Sequence, residues 1–538
     1  MQTRRQFVTA AGSFTAATVF APQSIAAATR LGQFSKAHGR FSEGLISGDP
    51  TPNGITLWTR LAGIDGPARV ELEVARDKSF RHVVARQKIA TNKQLAHSVK
   101  ARVGKLKPHE QYYYRFSSKG AETPVGRFRT ALPADSRQPV KFAFWSCQDF
   151  SHGYYNAHDL IAEGDYDFVV CLGDYIYAET YHSRADGTAV RDDNIGKTNP
   201  NNSSIVREAR TYQNYLDKYA LYRSDPALRK VHQKFPMIMV WDDHEMQDNY
   251  AGGEADGGLD AGKAYSAARK AAAYKAFYAS MPRFVSNQRV YRTLKFGKTV
   301  DMIVMDQRRY RANQPCNDAV APPCDDWNQP RPFLGAQQMA YVKQQLKSSK
   351  AAWKVMANEV TVMPTKVLGG SYFTYDGWQG YPQEREELLT YIRDNAIPDV
   401  VFVTGDIHTF ITGDVRTNMG DGDTVAIELV GGSVTSQGLG ESDVDGGAGV
   451  VIKGNDANPK TDPGIISALR GFNPWVDQAD FDHHGFGKVK VSQTEFDVDM
   501  VRVQTIKKKS TALVGGEDYH YKVQRGQTSI KGVHGPPA

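Results

Sequence analysis

The sequence predicts an α/β domain with a β-sheet core flanked by helices, preceded by a small all-β sandwich domain. From about residue 41 to residue 131, short runs of alternating polar and apolar residues are separated by turn residues. This pattern is typical of a small antiparallel sandwich. From residue 139 to residue 515, short apolar runs end on polar clusters and alternate with helical stretches. Buried strands alternating with helices indicate an α/β catalytic domain.

The two ends of the chain are expected to lie outside these domains. In residues 1–28, the twin arginines of "TRRQF" precede a short Ala/Gly-rich apolar run and three alanines at 26–28. These features predict a signal peptide read by the Tat export machinery, and hence a periplasmic or secreted protein. The alternative is an ordinary N-terminal helix. Residues 516–538 are predicted to be a C-terminal tail, and no later apolar run is long enough for a transmembrane span.

The composition and charge of the chain are those of an ordinary globular protein. The chain has 538 residues, of which 41% are hydrophobic and 23% are charged, and its formal net charge is +7. Spread over this length, the charge is mild, and no nucleic-acid platform is evident. Cys316 and Cys324 bracket a loop-like stretch, where they either close a disulfide in an oxidising compartment or remain free thiols. Cys171 lies within an apolar run and is expected to be buried in the core.

Chemically reactive side chains follow the apolar runs where strands are expected to end. Because ligands of open α/β sheets bind at the carboxyl ends of strands, these side chains are predicted to share one site. Taken singly, each motif has an ordinary alternative; "DDHE" also suits a helix N-cap with acidic first-turn residues. Together they favour a metal centre. The residues are Cys147, Asp174, Tyr177, Asp243, His244, Asn358, Asp406 and His408.

Four of these residues suit ferric iron. The thiol of Cys147 and the phenol of Tyr177 become anionic near neutral pH only beside a strongly charged metal ion. Thiolate and phenolate, together with the imidazole of His408 and the carboxylate of Asp174, suit a trivalent transition metal. Fe³⁺ is the ion that we predict there.

The other ligand residues offer oxygen alone. Asp243, Asn358 and Asp406 suit Ca²⁺, Mg²⁺ or Mn²⁺ better than zinc. Asp174 is predicted to bridge the two ions, which makes it a catalytic residue as well as a ligand. Two metal ions can clamp the attacking and leaving oxygens of a phosphoryl displacement. His244 is then free to hydrogen-bond the substrate oxygen or to protonate the leaving group.

Arginines are the candidates for binding the substrate phosphate. Arg308 and Arg311 in "MDQRRYR" have the forked geometry that fits phosphate, although a buried ion pair with Asp306 or another acid is an equal alternative. Arg184, in the loop after Tyr177, is a second candidate. Because "GGSVTSQG" lacks the Gly-x-Ser-x-Gly pattern of a serine nucleophile, direct attack by a metal-bound hydroxide is expected.

Taken in order, these motifs resemble those of the PhoD-like alkaline phosphatases of the metallophosphoesterase superfamily. The resemblance spans about residues 141–432, and the N-terminal β region matches the leading domain usual in that family. The motifs are "SCQ" (146–148), "GDYIY" (173–177), "WDDHE" (241–245), "MDQRRYR" (305–311), "NEV" (358–360), "GYPQER" (380–385) and "TGDIH" (404–408).

The resemblance implies a metallophosphoesterase-type core and hydrolysis of phosphomonoesters, phosphodiesters or both, at alkaline pH, after Tat export. It also implies one Fe³⁺ and one or more Ca²⁺ ions. Asp406 and Asp243 stand where the superfamily pattern has His and Asn, which moves the second site toward oxygen ligation. By position, the iron ligands would be Cys147, Asp174, Tyr177 and His408. The calcium ligands would be Asp174, Asp243, Asn358 and Asp406.

The motifs leave the substrate open. Some relatives of this family behave as phospholipases of the D type, so the substrate is either a small phosphate ester or a phospholipid head group. The closest alternative function is therefore a phosphodiesterase or phospholipase D acting on lipid head groups. A more distant alternative is a non-catalytic exported binding protein with structural metals, although ligands at open strand ends do not resemble a closed structural cage.

Overall fold

The computed structural model describes residues 38–184, 187–198, 205–253, 266–283, 289–441, 461, 463–515 and 519–534. The predicted export signal at residues 1–28 lies outside the described residues. Among the residues that are described, no helix combines the length and the apolar character needed to cross a bilayer.

The N-terminal region folds into two small layers of antiparallel strands. Along β3 and β6, side chains alternate between buried and more exposed positions, as a sheet with one covered face requires. Apolar residues of both layers, including Leu57, Val99, Leu72 and Phe116, form one core between them. The predicted β sandwich is confirmed. Its strands are β1 (Leu45–Thr51), β2 (Gly54–Arg60), β3 (Ala68–Ala75), β4 (Val83–Thr91), β5 (Ser98–Val103), β6 (Gln111–Ser118), β7 (Ala121–Glu122) and β8 (Gly126–Arg129).

The remaining strands and helices form the α/β part of the molecule, as the sequence pattern predicts. The strands are β9 (Val140–Trp145), β10 (Phe168–Cys171), β11 (Glu179–Thr180), β12 (Arg207–Glu208), β13 (Met237–Met239), β14 (Arg292–Phe296), β15 (Val300–Val304), β16 (Trp353–Asn358), β17 (Val400–Thr404), β18 (Phe410–Arg416), β19 (Thr424–Gly431), β20 (Val476–Asp480), β21 (His484–Val491), β22 (Glu495–Val503) and β23 (His520–Gln524). The helices are α1 (Asn156–Glu163), α2 (Tyr212–Tyr222), α3 (Pro226–Lys234), α4 (Ala267–Ser280), α5 (Gly335–Ser348), α6 (Pro382–Asp394) and α7 (Pro463–Phe472).

Two large sheets make up the core. The first has nine strands in the order β23-β22-β21-β9-β10-β13-β1-β2-β5, and the second has seven in the order β14-β15-β16-β17-β19-β18-β20. Within the first sheet, β9, β10 and β13 are parallel; within the second, β15, β16, β17 and β19 are parallel. Each sheet therefore presents one edge at which several strand ends, and the loops that follow them, lie together.

The first sheet runs through both parts of the chain. Strand β1 pairs in parallel with β13, so β1, β2 and β5 extend the sheet whose strands precede five of the eight predicted site residues. Strand β23, within the segment predicted as a C-terminal tail, pairs with β22 at the opposite edge. The sandwich is thus built onto the main sheet.

The loops after the two groups of parallel strands meet between the sheets. A Cβ atom on Gly405, which follows β17, would lie 2.7 Å from the side chain of Ser146, which follows β9. This distance is shorter than the separation that two side-chain carbon atoms adopt. A residue larger than glycine at position 405 would therefore have to displace Ser146. The close approach brings residues of both sheets into one site.

The structure also answers the cysteine predictions. Cys316 and Cys324 form a disulfide. Cys171 is a free, fully buried thiol within β10, as expected of a core residue.

Candidate metal centre

The predicted ligands lie on tight turns that immediately follow the strands. Cys147 (φ 57°), Asp174 (φ 51°), Asp406 (φ 72°) and His408 (φ 56°) all adopt the left-handed conformation. Residues other than glycine rarely adopt this conformation, and such backbone strain is concentrated at functional sites. The turns aim these four side chains back across the ends of the sheets.

A glycine allows two of these turns to touch. Gly173 has φ 115°, and a Cβ atom there would lie 2.3 Å from Cβ of Asp242. The turn after β10 therefore packs directly on the turn after β13, and only glycine combines this φ with this contact. As a result, Asp174 and Asp243 are brought close to each other.

All four predicted iron ligands converge. The donor atoms of Cys147, Asp174 and His408 lie within 4.8 Å of one another. The phenol oxygen of Tyr177 is 3.2 Å from Asp174 Oδ2 and 3.0 Å from His408 Nε2. Nδ1 of His408 donates to the carbonyl of Gln437 at 2.9 Å, so Nε2 carries the lone pair that faces the cluster. This second hydrogen bond is the usual partner of a metal-binding histidine.

Burial acts on the acidity of each donor in this cluster. It raises the pKa of the Cys147 thiol well above its ordinary value, and the nearby Asp174 adds to the effect. The pKa of Tyr177 is raised by the same two causes. Burial lowers the pKa of His408 to about 4, which keeps the imidazole neutral and able to bind a metal. A thiolate and a phenolate here need a cation to offset their burial, so the donor set fits a highly charged metal ion.

A second group of donors, next to the predicted iron ligands, consists of carboxylates. Oxygens of Asp242, Asp243 and Asp406 lie within 4.8 Å of one another, and Asp174 shares such a group with Asp243 and His244. Burial raises the pKa of Asp174 and of Asp406 well above the ordinary value, with the neighbouring carboxylates reinforcing it. Concentrated negative charge of this kind fits an oxygen-loving cation.

Asp242 is a site residue that the predicted ligand set did not include. One of its oxygens accepts a hydrogen bond from Arg308, while Oδ2 is buried and accepts none. A buried carboxylate oxygen without a donor is costly unless a cation faces it. In the sequence, the pair of adjacent carboxylates in "DDHE" is the feature that could have identified Asp242.

Asn358 is held by protein groups on both sides of its amide. Its Oδ1 accepts from Gln307 and from Trp378 Nε1, the latter at 3.0 Å. Its Nδ2 donates to the carbonyl of Val360 at 2.6 Å and to Thr404 Oγ1 at 2.9 Å. A calcium ion that used Asn358 Oδ1 would replace one of these donors.

Arg308 lies inside the carboxylate cluster. It is fully buried, and its guanidinium donates to Asp242, to Asp376 at 2.6 Å, to Asp406 at 3.0 Å and to Asp243 at 3.3 Å. The sequence left two alternatives for Arg308, phosphate binding and a buried ion pair. In this structure Arg308 forms buried ion pairs. One guanidinium faces four carboxylates, which leaves negative charge for a cation.

The other two candidate arginines differ in their surroundings. Arg311 is buried, donates to the carbonyl of Asp376 at 2.7 Å and also pairs with the Asp376 carboxylate that Arg308 contacts. Arg184 lies on a surface loop, where its side chain is 62% exposed and pairs with Asp192 at 2.6 Å. Its guanidinium also donates to the carbonyl of Val190 at 3.2 Å, so these contacts connect it with its own loop and not with the predicted ligands.

His244 lies at the junction of the two groups of donors. Its backbone N–H donates to Asp174 Oδ1 at 3.2 Å, and its ring stacks on Tyr177 with centroids 4.0 Å apart. Nδ1 lies 3.0 Å from Glu179 Oε2. Burial alone would lower the pKa of His244, but Asp243, Asp174 and Glu179 outweigh burial and raise it well above its ordinary value. Glu179 closes the same "GDYIYAE" segment as Asp174 and was not among the predicted site residues.

Comparisons with known proteins agree with the motifs. The family model described as PhoD-like phosphatase matches residues 142–500, and that of the PhoD-like phosphatase N-terminal domain matches residues 25–132. The chain is 34% identical to alkaline phosphatase D of Bacillus subtilis (strain 168) over 420 residues, covering 74% of this chain and 70% of that protein.

Solved structures extend the likeness to the fold. A structure of PhoD superposes with a TM-score of 0.79 at 29% identity, covering 93% of each chain. A purple acid phosphatase from yellow lupin (Lupinus luteus) seeds superposes with a TM-score of only 0.49 at 12% identity, covering 85% of this chain and 71% of that chain. The predicted fold class, a metallophosphoesterase-type α/β core behind a β domain, is confirmed by the first likeness. The chain belongs to the PhoD-like phosphatase family and is a hydrolase of phosphoric ester bonds.

Proposed function

We propose that this protein is an exported phosphatase that hydrolyses phosphomonoesters, phosphodiesters or both at a centre of two unlike cations. The observation that carries the proposal is the convergence of Cys147, Tyr177 and His408 on Asp174, next to a separate group of carboxylates. Thiol, phenol and imidazole on one side and oxygen alone on the other are donor sets for different metals.

The two cations proposed are Fe³⁺ and Ca²⁺. Cys147, Asp174, Tyr177 and His408 would hold the iron. Calcium would be held by Asp174, Asp243 and Asp406, with Asn358 if one of its present hydrogen bonds is exchanged. When bound, such ions supply Lewis-acid chemistry, by neutralising phosphate charge and by making a nucleophile available from water.

His244 is proposed to act on the ester oxygen. Its Nδ1 is occupied by Glu179, so Nε2 is the atom that can hold a proton toward the leaving group. The carboxylates around it favour the protonated ring. Asp174 accepts from the backbone of His244 and thereby fixes the ring relative to the cluster.

Two arginines are proposed to act in different ways. Arg184 is exposed on the loop after β11, and its pairing with Asp192 at the surface can be exchanged for a substrate anion at little cost. Arg308 was predicted to bind substrate, but its buried position supports a role in ordering the carboxylates from within.

Export is part of the proposal. The twin-arginine segment lies among the residues that the structure does not describe, so its support comes from the sequence. The Cys316–Cys324 disulfide adds a second argument, because disulfides persist in oxidising compartments such as the periplasm or the extracellular space.

One substrate panel tests the proposed function and its nearest alternative. The purified full-length enzyme is assayed against phosphomonoesters, phosphodiesters and phospholipids, with elemental analysis of the same preparation. Turnover of the simple esters with iron and calcium present supports the proposal. Turnover confined to phospholipids would replace it with a phosphodiesterase or phospholipase D acting on lipid head groups. Membership of an enzyme family already speaks against the non-catalytic binding protein.

A further inference from the structure

We propose that Asp318 is a positioning residue for the carboxylates of the second cation site, held in place by the loop that the Cys316–Cys324 disulfide closes. This inference rests on the proposed function, because it concerns the cation proposed for those carboxylates. Asp318 contacts two segments, one through Asn249 and one through Tyr375, and each segment in turn contacts a residue of the carboxylate cluster. Neither connection was predicted from the sequence.

The loop around Asp318 has an unusual backbone. Cys316, Asn317 and Asp318 adopt left-handed conformations in succession, with φ angles of 56°, 53° and 53°. Three such residues in a row are unfavourable for residues other than glycine, so surrounding contacts must hold them. The disulfide between Cys316 and Cys324 closes this loop covalently.

One connection runs through Asn249. The side-chain amide of Asn249 donates to Asp318 Oδ2 at 3.0 Å. The backbone N–H of the same residue donates to Asp243 Oδ2 at 2.6 Å. Asn249 itself has φ 48°, so its position is also constrained. A shift of Asp318 would therefore reach a predicted calcium ligand through a single residue.

The other connection runs through Thr374 and Tyr375, which directly precede Asp376, a carboxylate that pairs with Arg308. Asp318 Oδ1 accepts from Thr374 Oγ1 at 2.9 Å and from the backbone N–H of Tyr375 at 2.8 Å. The next residue, Asp376, accepts from Arg308 at 2.6 Å. Because Arg308 also donates to other carboxylates of the cluster, Asp318 influences the arginine as well as the ligand side of the site.

These two connections give Asp318 a role that surface acidic residues lack. Asp318 is not among the residues whose donor atoms converge at the site, and its two oxygens are used by different segments. Groups that orient metal ligands from behind typically change metal affinity by about 10- to 100-fold when they are removed. The predicted effect falls on the second cation, since the two connections lead to Asp243 and Arg308 and not to Cys147 or Tyr177.

Asp318→Asn in the full-length, iron-containing protein tests the inference. Asparagine keeps an oxygen for Thr374 and Tyr375 but places an NH₂ group against the amide of Asn249. Calcium chloride is titrated into the calcium-depleted protein by calorimetry. We expect the Kd for Ca²⁺ to rise about tenfold or more, while iron content and the iron absorption band stay at wild-type values.

Two further variants keep the test independent of folding. Asp325→Asn is the matched control, because Asp325 is an exposed acidic residue directly after Cys324, outside the loop that the disulfide closes. It should bind Ca²⁺ as the wild type does. Replacing both Cys316 and Cys324 by alanine leaves Asp318 intact and should weaken Ca²⁺ binding in the same direction as Asp318→Asn.

The outcomes separate a failure of the inference from a failure of the proposed function. If the wild type binds no Ca²⁺, the proposed second cation is wrong and this inference falls with it. If the wild type binds Ca²⁺ and Asp318→Asn binds it equally well, only the inference is wrong. A parallel loss of iron and calcium in Asp318→Asn would show a general structural role and would also overturn the inference.

Discussion

Glu179 Oε2 lies 3.0 Å from Nδ1 of His244, and both side chains are buried. The second oxygen of Glu179 accepts from Arg269 at 2.9 Å, which fixes the carboxylate from behind. The Nδ1 proton of His244 is therefore held by Glu179, and Nε2 lies 3.7 Å from Asp243 Oδ2, on the side of the carboxylates. This arrangement sets both the tautomer and the direction of the ring.

Glu179→Gln should slow turnover by about tenfold or more, since general acid catalysis contributes about 10²–10⁴-fold and depends on an oriented proton donor. The negative charge of Glu179 helps to raise the pKa of His244, so its removal lowers that pKa. If protonated His244 is the active form, the alkaline limb of the kcat profile moves to lower pH. The pH dependence of kcat for both proteins measures the shift.

Glu208→Gln is the control for that measurement. Glu208 also accepts from Arg269, at 2.9 Å, but its contact is with the arginine and not with His244. The alkaline limb should stay where it is in the wild type. A shift of equal size in both variants would assign the effect to Arg269 and not to the His244–Glu179 pair.

With Fe³⁺ bound as proposed, Tyr177→Phe should abolish the visible absorption of the protein while leaving the fold intact. A phenolate bound to Fe³⁺ absorbs visible light by charge transfer, and phenylalanine fills the same buried space without the oxygen. We expect the visible band to disappear and the iron content to fall, because one of the four proposed ligands is lost. Absorption spectra and elemental analysis measure both.

Tyr175→Phe is the matched control for the colour. Its hydroxyl accepts from Arg223 at 3.0 Å and lies 3.1 Å from His232, away from the donors of the cluster. The variant should lose about 1 kcal/mol of stability from the buried hydrogen bonds but keep its colour. A colourless wild-type enzyme with full activity would eliminate Tyr177 as an iron ligand.

Much of this architecture was predictable because apolar runs mark buried strands and polar residues mark their ends. The runs at β9, β10, β13, β16 and β17 were recognised in this way, and the Cys, Asp and His donors that follow β9, β10, β13 and β17 do converge. Spacing along the chain says which residues end a strand but not which sheet the strand joins. The division into two sheets, with the sandwich strands β1, β2 and β5 extending one of them, depends on pairings between distant residues.

The side-chain environments were the less predictable part of the site. Asn358 and Arg308 carry the right chemistry for a ligand and a phosphate donor, yet their partners come from segments far away in sequence. Trp378 donates to Asn358, and Asp376 accepts from Arg308. The left-handed turn at Cys147 is equally invisible in a sequence, because cysteine does not signal positive φ.

Arg308→Met should destabilise the protein strongly. Arg308 is fully buried among carboxylates, and removing one partner of such a group leaves uncompensated buried charge that costs about 3–5 kcal/mol. Urea unfolding of the calcium-free protein measures the change.

Arg184→Ala, at an exposed pair with Asp192, should change stability by less than about 1 kcal/mol. A rise in KM in Arg184→Ala would support its proposed contact with the substrate, and an unchanged KM would reject it.

Asp174→Asn should remove both cations and reduce activity by about a thousandfold or more, because two-metal centres supply several kcal/mol of transition-state stabilisation. Asp174 is the residue common to both groups of donors: its carboxylate lies with Cys147 and His408 on one side and with Asp243 and His244 on the other. Elemental analysis and steady-state kinetics of the same preparation measure the effect.

Asp242→Asn provides the comparison, since Asp242 groups with Asp243 and Asp406 and not with the predicted iron ligands. It should keep its iron and its colour, bind Ca²⁺ more weakly and lose activity that added Ca²⁺ partly restores. Treatment of the wild type with EGTA should reproduce that state reversibly, with iron retained. Near-normal turnover in Asp174→Asn would reject the shared carboxylate, and wild-type activity in EGTA would show that the second ion is not calcium.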